Sequence, residues 1–218
     1  MRKSITGTSR EQSRGEELAN SISHGIALAA MLVGTPFLIM NAARHGGAGE
    51  VVGSSVFAAA AILLYLSSTV YHALAPGRAK NLFRVIEHSA IFLLIAGTYT
   101  PFTLGVLKGP WGWTLFGLVW GLAAAGVAMK VFERRVHPLF STGLYLFMGW
   151  IIILAVNPTL ARMPAAGLIW LTAGGLFYTV GVLFFITDSK FRYGHLIWHL
   201  FVMAGTICHY FAVLWYAA

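Results

Sequence analysis

Two histidines, His195 and His199, stand four residues apart in the last apolar segment of the chain. Residues four apart lie above one another on one face of an α-helix. Ser68 and His72 have the same spacing at the end of the second apolar segment. Two imidazoles on one helix and a third from a facing helix can hold a metal ion and leave a fourth tetrahedral position for water. The pattern predicts a metal site of catalytic composition, because neutral ligands leave the ion enough charge to lower the pKa of a bound water to about 7.

Apolar helices long enough to cross a membrane must position these side chains. Of the 218 residues, 58% are hydrophobic and only 10% are charged, too few polar groups to cover a water-soluble globule. Crossing the hydrocarbon of a bilayer takes about 20 helical residues. Seven segments have this length, at 24–43, 51–73, 85–107, 111–130, 137–156, 165–187 and 194–216. The sequence therefore predicts an all-α integral membrane protein, with a flexible cytosolic arm at 1–20 and a seven-helix transmembrane domain at 21–218.

The distribution of Lys and Arg predicts the orientation of this bundle. Positive residues are retained on the cytosolic side during membrane insertion. The arm and the connections on its side hold twelve of the 15 basic residues, and the opposite connections hold Arg44, Lys108 and Arg162. We therefore predict a cytosolic amino terminus and an external carboxyl terminus. The net charge of +8 favours attraction to anionic lipid headgroups. Because the basic residues are scattered through short connections, they argue against a nucleic-acid partner.

With this orientation, polar side chains from four helices converge at the cytosolic end. Spans one, three and seven begin at that end, and span two ends there. The converging residues are Glu17, Asn20 and His24 of span one, Ser68 and His72 of span two, Glu87 and His88 in the first turn of span three, and His195 and His199 of span seven. Ionisable residues inside a membrane are rare and usually functional. We therefore expect a functional site at this level.

Glu87 is the predicted catalytic carboxylate, which takes a proton from the metal-bound water and returns it. Alternatively, Glu87 ligates the ion directly and closes the water position, which would weaken an enzymatic interpretation. Asp188, which ends span six on the same side, is a lower-ranked substitute. His88 points about 100° away from Glu87 around the helix axis, so we leave it out of the metal site.

The remaining polar residues at this level have two interpretations each. Ser68 either belongs to the site or bonds back to the carbonyl of residue 64 in its own helix. His24, with Asn20 and Glu17, either supports the metal ligands through hydrogen bonds or forms a structural cluster.

Four motifs run through almost the whole chain after the arm: Glu17-x2-Asn20-x3-His24, Ser68-x3-His72, Glu87-His88 with AIFLLIAGTYTPF at 90–102, and His195-x3-His199. With them the chain resembles the bacterial haemolysin III-like proteins, relatives of the adiponectin and progestin receptors within a membrane group that includes alkaline ceramidases. The resemblance implies a seven-helix protein of the bacterial inner membrane with an internal amino terminus. It also implies that His72, His195 and His199 bind zinc (Zn2+) and that Ser68 forms hydrogen bonds next to them. The family usually has Asp where this chain has Glu87.

Three functions are compatible with these features. The first is zinc-dependent hydrolysis of an amide or ester bond in a lipid-like substrate, with Glu87 moving the proton and Ser68 stabilising the oxyanion. The second is a non-enzymatic, metal-stabilised receptor or membrane-homeostasis regulator, whose partners are membrane lipids. The third, a pore-forming cytolysin, ranks last because no polar stripe crosses the apolar spans to line a channel. Iron, nickel or copper would also bind imidazole, so zinc is a preference.

Overall fold

The computed structural model describes residues 10–132 and 138–217, and their regular structure is helical. The helices are α1 (Arg14–His45), α2 (Ala48–Ala73), α3 (Arg78–Pro101), α4 (Pro110–Phe132), α5 (Pro138–Trp150), α6 (Val156–Arg162), α7 (Ala165–Thr187) and α8 (Gly194–Tyr216). A π-helical turn, Phe102–Val106, extends α3, and 3₁₀ turns follow α5 (Ile151–Ala155) and α7 (Asp188–Lys190). Together these elements form seven helical segments long and apolar enough to cross a membrane, with α5 and α6 in the same segment. The predicted all-α, seven-span architecture is confirmed.

Helix α1 begins at Arg14 because Ser13 and Glu16 form a capping box. The hydroxyl of Ser13 accepts a hydrogen bond from the Glu16 N–H at 3.4 Å, and the Glu16 carboxylate accepts one from the Ser13 N–H at 3.0 Å. This reciprocal pair satisfies backbone donors that the first helical turn leaves without partners. Residues 14–20 of the segment predicted as an arm are therefore helical. Residues 1–9 of that segment lie outside the described residues.

The seven spans form a closed ring in chain order. Each span packs on the next, and α8 returns to pack on α1. The helices α2 and α3 approach closely at small residues: a Cβ added to Gly97 would lie 2.7 Å from the Cβ of Ala60. Small residues allow such close approach of backbones in a membrane. Helix α5 packs less extensively on α3, α4 and α7, and internal space remains beside it.

The fifth span is broken near its middle, where α5 gives way to the 3₁₀ turn. The hydroxyl of Tyr99 donates a hydrogen bond to the Gly149 carbonyl at 2.8 Å and accepts one from the Ile152 N–H at 3.0 Å. Non-helical backbone at membrane depth is tolerated only where the protein or water satisfies its polar groups. Tyr99, a residue of the neighbouring helix α3, therefore stabilises the broken backbone of the fifth span.

Candidate metal centre

Three histidines from two helices meet at the predicted cytosolic end of the bundle. His72 lies one residue before the end of α2, and His195 and His199 lie in the first two turns of α8. Each offers one ring nitrogen, and these nitrogens all lie within 4.8 Å of one another. Because Zn–N bonds are about 2.0–2.1 Å long, a tetrahedral ion would hold the nitrogens roughly 3.3 Å apart, so they must approach by at most about 1.5 Å. Among the described residues, this group could hold a metal ion.

Carboxylates bind the outer nitrogens of two of these rings. Nδ1 of His72 donates to Glu17 at 2.8 Å, and Nδ1 of His195 donates to Asp188 at 2.9 Å. The second carboxylate oxygen of Glu17 accepts from Lys80 at 2.8 Å. A neutral imidazole has one N–H, so Nε2 of both rings keeps a lone pair. A carboxylate in this position orients a metal-ligating ring and raises its basicity.

A serine hydroxyl binds the third ring. Nδ1 of His199 lies 3.1 Å from the hydroxyl of Ser23, which itself donates to the Asn20 carbonyl at 2.8 Å. A hydroxyl has a single hydrogen, so the Ser23 oxygen accepts from Nδ1 of His199. All three histidines therefore present Nε2 lone pairs.

The Nε2 atom of His72 is buried and has no hydrogen-bond partner. An unpaired buried polar group costs on the order of 1–3 kcal/mol, so such atoms need an explanation. A cation bound to Nε2 would satisfy the lone pair. The donor set of three neutral imidazoles fits zinc and also other divalent transition metals.

Ser68 contacts the cluster through His24. The Ser68 hydroxyl lies 2.7 Å from Nδ1 of His24, whose ring stacks on His199 with centroids 3.5 Å apart. The Leu64 carbonyl, the alternative partner that we considered for Ser68, accepts from Ser67 instead. Nε2 of His24 is buried without a hydrogen-bond partner. His24 therefore forms part of the cluster.

Glu87 lies beside the histidines, although its helix begins earlier than expected. Because α3 starts at Arg78, Glu87 is in the third helical turn, and the prediction of a first-turn position was wrong. A Glu87 carboxylate oxygen lies 3.7 Å from Nε2 of His72. This separation is compatible with direct ligation or with a water between the carboxylate and the ion. The neighbouring His88 is outside the three-histidine group, and its carbonyl accepts from the Tyr145 hydroxyl at 2.8 Å.

An apolar cavity borders the cluster. Its volume is about 120 Å³, and its walls include His24, Glu87 and His199. A second cavity of about 240 Å³ adjoins it. The two cavities share the wall residues Thr98, Tyr99, Gly149, Trp150, Gly175 and His209. Apolar space therefore extends from the histidines past the break in the fifth span.

Seven membrane-crossing helices around a buried group of histidines define a multi-pass membrane protein with a candidate metal site. Residues 12–210 match the family described as Haemolysin-III related, and the chain belongs to this family. It is 45% identical to the "Hemolysin-3 homolog" of Bacillus subtilis (strain 168) over 201 residues, 92% of this chain and 94% of the relative. It is also 44% identical to "Hemolysin-3" of Bacillus cereus over 92% of this chain and 91% of the relative. The human "Monocyte to macrophage differentiation factor" is 26% identical over 91% of this chain and 83% of its own length. The predicted family and the multi-pass membrane location are confirmed.

The three histidines are predictable from the sequence, but the residues that support them were predicted only in part. Ser23 was missed, although it follows Asn20 by three residues on the same face of α1. Asp188 was ranked only as a substitute for Glu87, whereas it binds His195. Residue spacing does not predict this contact, because Asp188 and His195 belong to different elements.

Proposed function

We propose that this protein is a zinc-dependent membrane hydrolase that cleaves an amide or ester bond in a lipid-like substrate. The proposal depends mainly on one observation: His199 and Glu87 line the same apolar cavity. A potential metal ligand and a potential proton acceptor therefore face one space. The apolar walls of the two adjoining cavities suit a hydrocarbon chain, with the scissile carbonyl next to the histidines.

The residues around the cavity have distinct parts in this reaction. When bound, zinc with three imidazole ligands acidifies a water and polarises a carbonyl. The Glu87 carboxylate accepts the proton that the attacking water loses and returns it to the leaving amine or alcohol. The distance of 3.7 Å between a Glu87 carboxylate oxygen and Nε2 of His72 supports this role.

His24 is the second polar group at the reacting carbonyl. His24 lines the cavity, whereas Ser68 does not line it and instead contacts Nδ1 of His24. In our proposal the Ser68 hydroxyl donates to Nδ1 of His24, which leaves the ring proton on Nε2. Nε2 then donates to the oxyanion as it forms. Ser68 therefore acts through His24 instead of touching the oxyanion itself.

A non-enzymatic regulator is the second candidate function. The histidines belong to α2 and α8, which are separated in the ring by α1. Metal bound to both helices would fix their relative position, as a structural metal does. In that case metal removal would lower stability, and no substrate would be turned over.

The test is a hydrolysis assay on detergent-purified, zinc-loaded protein with a panel of N-acyl and O-acyl lipids. Fatty-acid release is measured by mass spectrometry for wild type, Glu87→Gln and a control, Glu50→Gln. Glu50 is a buried carboxylate near the start of α2, at the opposite end of that helix from His72. We expect Glu87→Gln to keep zinc and lose at least about 100-fold in rate, and Glu50→Gln to keep activity. Equal rates for Glu87→Gln and wild type would contradict the role of Glu87, and no release from any lipid would favour the regulator.

A further inference from the structure

The segment that precedes and begins α1 contacts the connection between α7 and α8. We refer to residues 10–16 as the N-terminal strap. The Glu16 carboxylate, buried at 2% exposure, accepts a hydrogen bond from the Tyr193 N–H at 2.8 Å. Arg10 donates to both oxygens of Glu16, at 2.6 and 2.7 Å, and to the Phe191 carbonyl at 3.1 Å. The strap is thus joined to the connection at two points.

The Arg10–Glu16 pair is permanently charged at neutral pH. The hydrogen bond to Glu16 raises the pKa of Arg10 above its ordinary value, which is already far above neutrality. Charge-assisted, two-pronged pairs of Arg with a carboxylate are geometrically specific. The strap therefore contacts the connection in one defined orientation.

The connection has a demanding backbone conformation. Tyr193, the residue before α8, has φ of 59°, in the left-handed region that residues other than glycine rarely adopt. The turn is also tight, since a Cβ added to Gly194 would lie 2.9 Å from the Cα of Asp188. Strained backbone persists only where surrounding contacts hold it. The hydrogen bond from the Tyr193 N–H to Glu16 is such a contact.

This same connection determines how one metal ligand is oriented. Asp188 begins the 3₁₀ turn that follows α7 and binds Nδ1 of His195, the second residue of α8. A change at Tyr193 would therefore alter the placement of Asp188 relative to His195. The strap contacts this connection at Phe191 through Arg10 and at Tyr193 through Glu16.

We propose that Glu16 is a positioning residue for the metal ligand His195, and that strap order and metal binding stabilise each other. Glu16 and Arg10 hold the 188–194 connection in the conformation in which Asp188 orients His195. The inference rests on the metal centre of the proposed function and is independent of hydrolysis. Coupling between two binding events is reciprocal, so metal must strengthen the strap contact by the same factor by which the strap strengthens metal binding.

Metal affinity of strap variants tests one direction of this coupling. Glu16→Ala removes the acceptor for Tyr193 and should weaken zinc binding by about 5-fold or more. Glu16→Gln retains an acceptor for the Tyr193 N–H and a capping residue for α1, so it should recover part of this loss. Ser13→Ala breaks the capping box but leaves the bond from Glu16 to Tyr193 in place. A loss in Ser13→Ala as large as in Glu16→Ala would assign the effect to helix capping and overturn the inference.

Limited trypsin digestion of wild type tests the other direction and needs no variant. Strap opening exposes the bonds after Arg10 and Arg14, and cleavage follows the open population when opening is fast. We expect zinc to slow cleavage at these sites by about 5-fold or more and to leave cleavage after Lys108, at the opposite end of the bundle, unchanged. Zinc binding without slower strap cleavage would overturn this inference alone. Failure of wild type to bind zinc would overturn the metal centre and this inference with it.

Discussion

Removal of the Asp188 carboxylate should weaken metal binding without removing a ligand. Asp188 accepts from Nδ1 of His195 at 2.9 Å, which fixes the tautomer that has its lone pair on Nε2. Loss of such a hydrogen-bonding partner typically costs about 10–100-fold in metal affinity, or about 1.4–2.7 kcal/mol. Asp188 begins the short 3₁₀ turn that follows α7. Because the lost hydrogen bond is to a carboxylate, we expect Asp188→Ala near the upper end of this range.

Asp188→Asn separates the charge of this group from its hydrogen-bonding capacity. The amide oxygen can still accept from Nδ1, but a hydrogen bond to an ionised group is roughly twice as strong as a neutral one. Asparagine should therefore recover about half of the lost binding free energy, which predicts a loss of about 10-fold where alanine loses about 100-fold. The dissociation constant is measured by competition with a fluorescent zinc chelator in detergent, with Glu50→Gln as the control.

The order of affinities decides whether this reasoning holds. Wild type and Glu50→Gln should bind most tightly, followed by Asp188→Asn and then Asp188→Ala. If Asp188→Ala binds zinc as tightly as wild type, the carboxylate does not orient His195 and the reasoning is refuted.

Three further predictions concern stability, measured by thermal unfolding in detergent. Tyr99→Phe should cost about 1–3 kcal/mol, because its hydroxyl satisfies two backbone groups at the break in the fifth span; Tyr210→Phe, which removes one bond to a helical carbonyl, should cost less. Gly97→Ala should cost about 1–3 kcal/mol through overpacking, since its Cβ would lie 2.7 Å from Ala60, whereas Gly117→Ala, with open space around the added Cβ, should be neutral or stabilising. Zinc at 100 times its dissociation constant should raise the free energy of unfolding by about 2.7 kcal/mol, and chelation should reverse the shift; no dependence of the melting temperature on zinc would contradict a native metal site.

The positions of the three histidines followed from sequence because two simple rules determine them. His195 and His199 share a helix face through their spacing, and span direction places His72 at the same level. The structure brings one ring nitrogen of each histidine within 4.8 Å of the others. Neither rule depends on side-chain rotamers, so both survive errors of several residues in the helix ends, such as the early start of α3.

The partners of those histidines depend on features that spacing does not carry. Asp188 reaches His195 only through the turn at Tyr193, whose left-handed backbone is unusual for a tyrosine. The choice of His24 as the partner of Ser68 depends on rotamers at the interface between α1 and α2. These contacts are therefore not predictable from residue spacing.

The break in the fifth span was also not predicted from the sequence. Hydropathy indicates one uniform helix over 137–156, and Pro158, a local signal of a new helix start in the first turn of α6, lies just beyond that run. A hydroxyl from another helix, Tyr99, replaces the missing backbone bonds. Such long-range compensation has no local sequence signature. The cavities beside the break were therefore also not predictable.

The most direct test of the central claim is metal content. Elemental analysis compares detergent-purified wild type, the His195→Ala/His199→Ala double variant and His209→Ala. His209 is a matched control, because it is a buried histidine of the same helix outside the three-histidine group. We predict about one zinc per chain in wild type and His209→Ala, and none in the double variant. Equal metal content in wild type and the double variant would contradict the proposed metal centre.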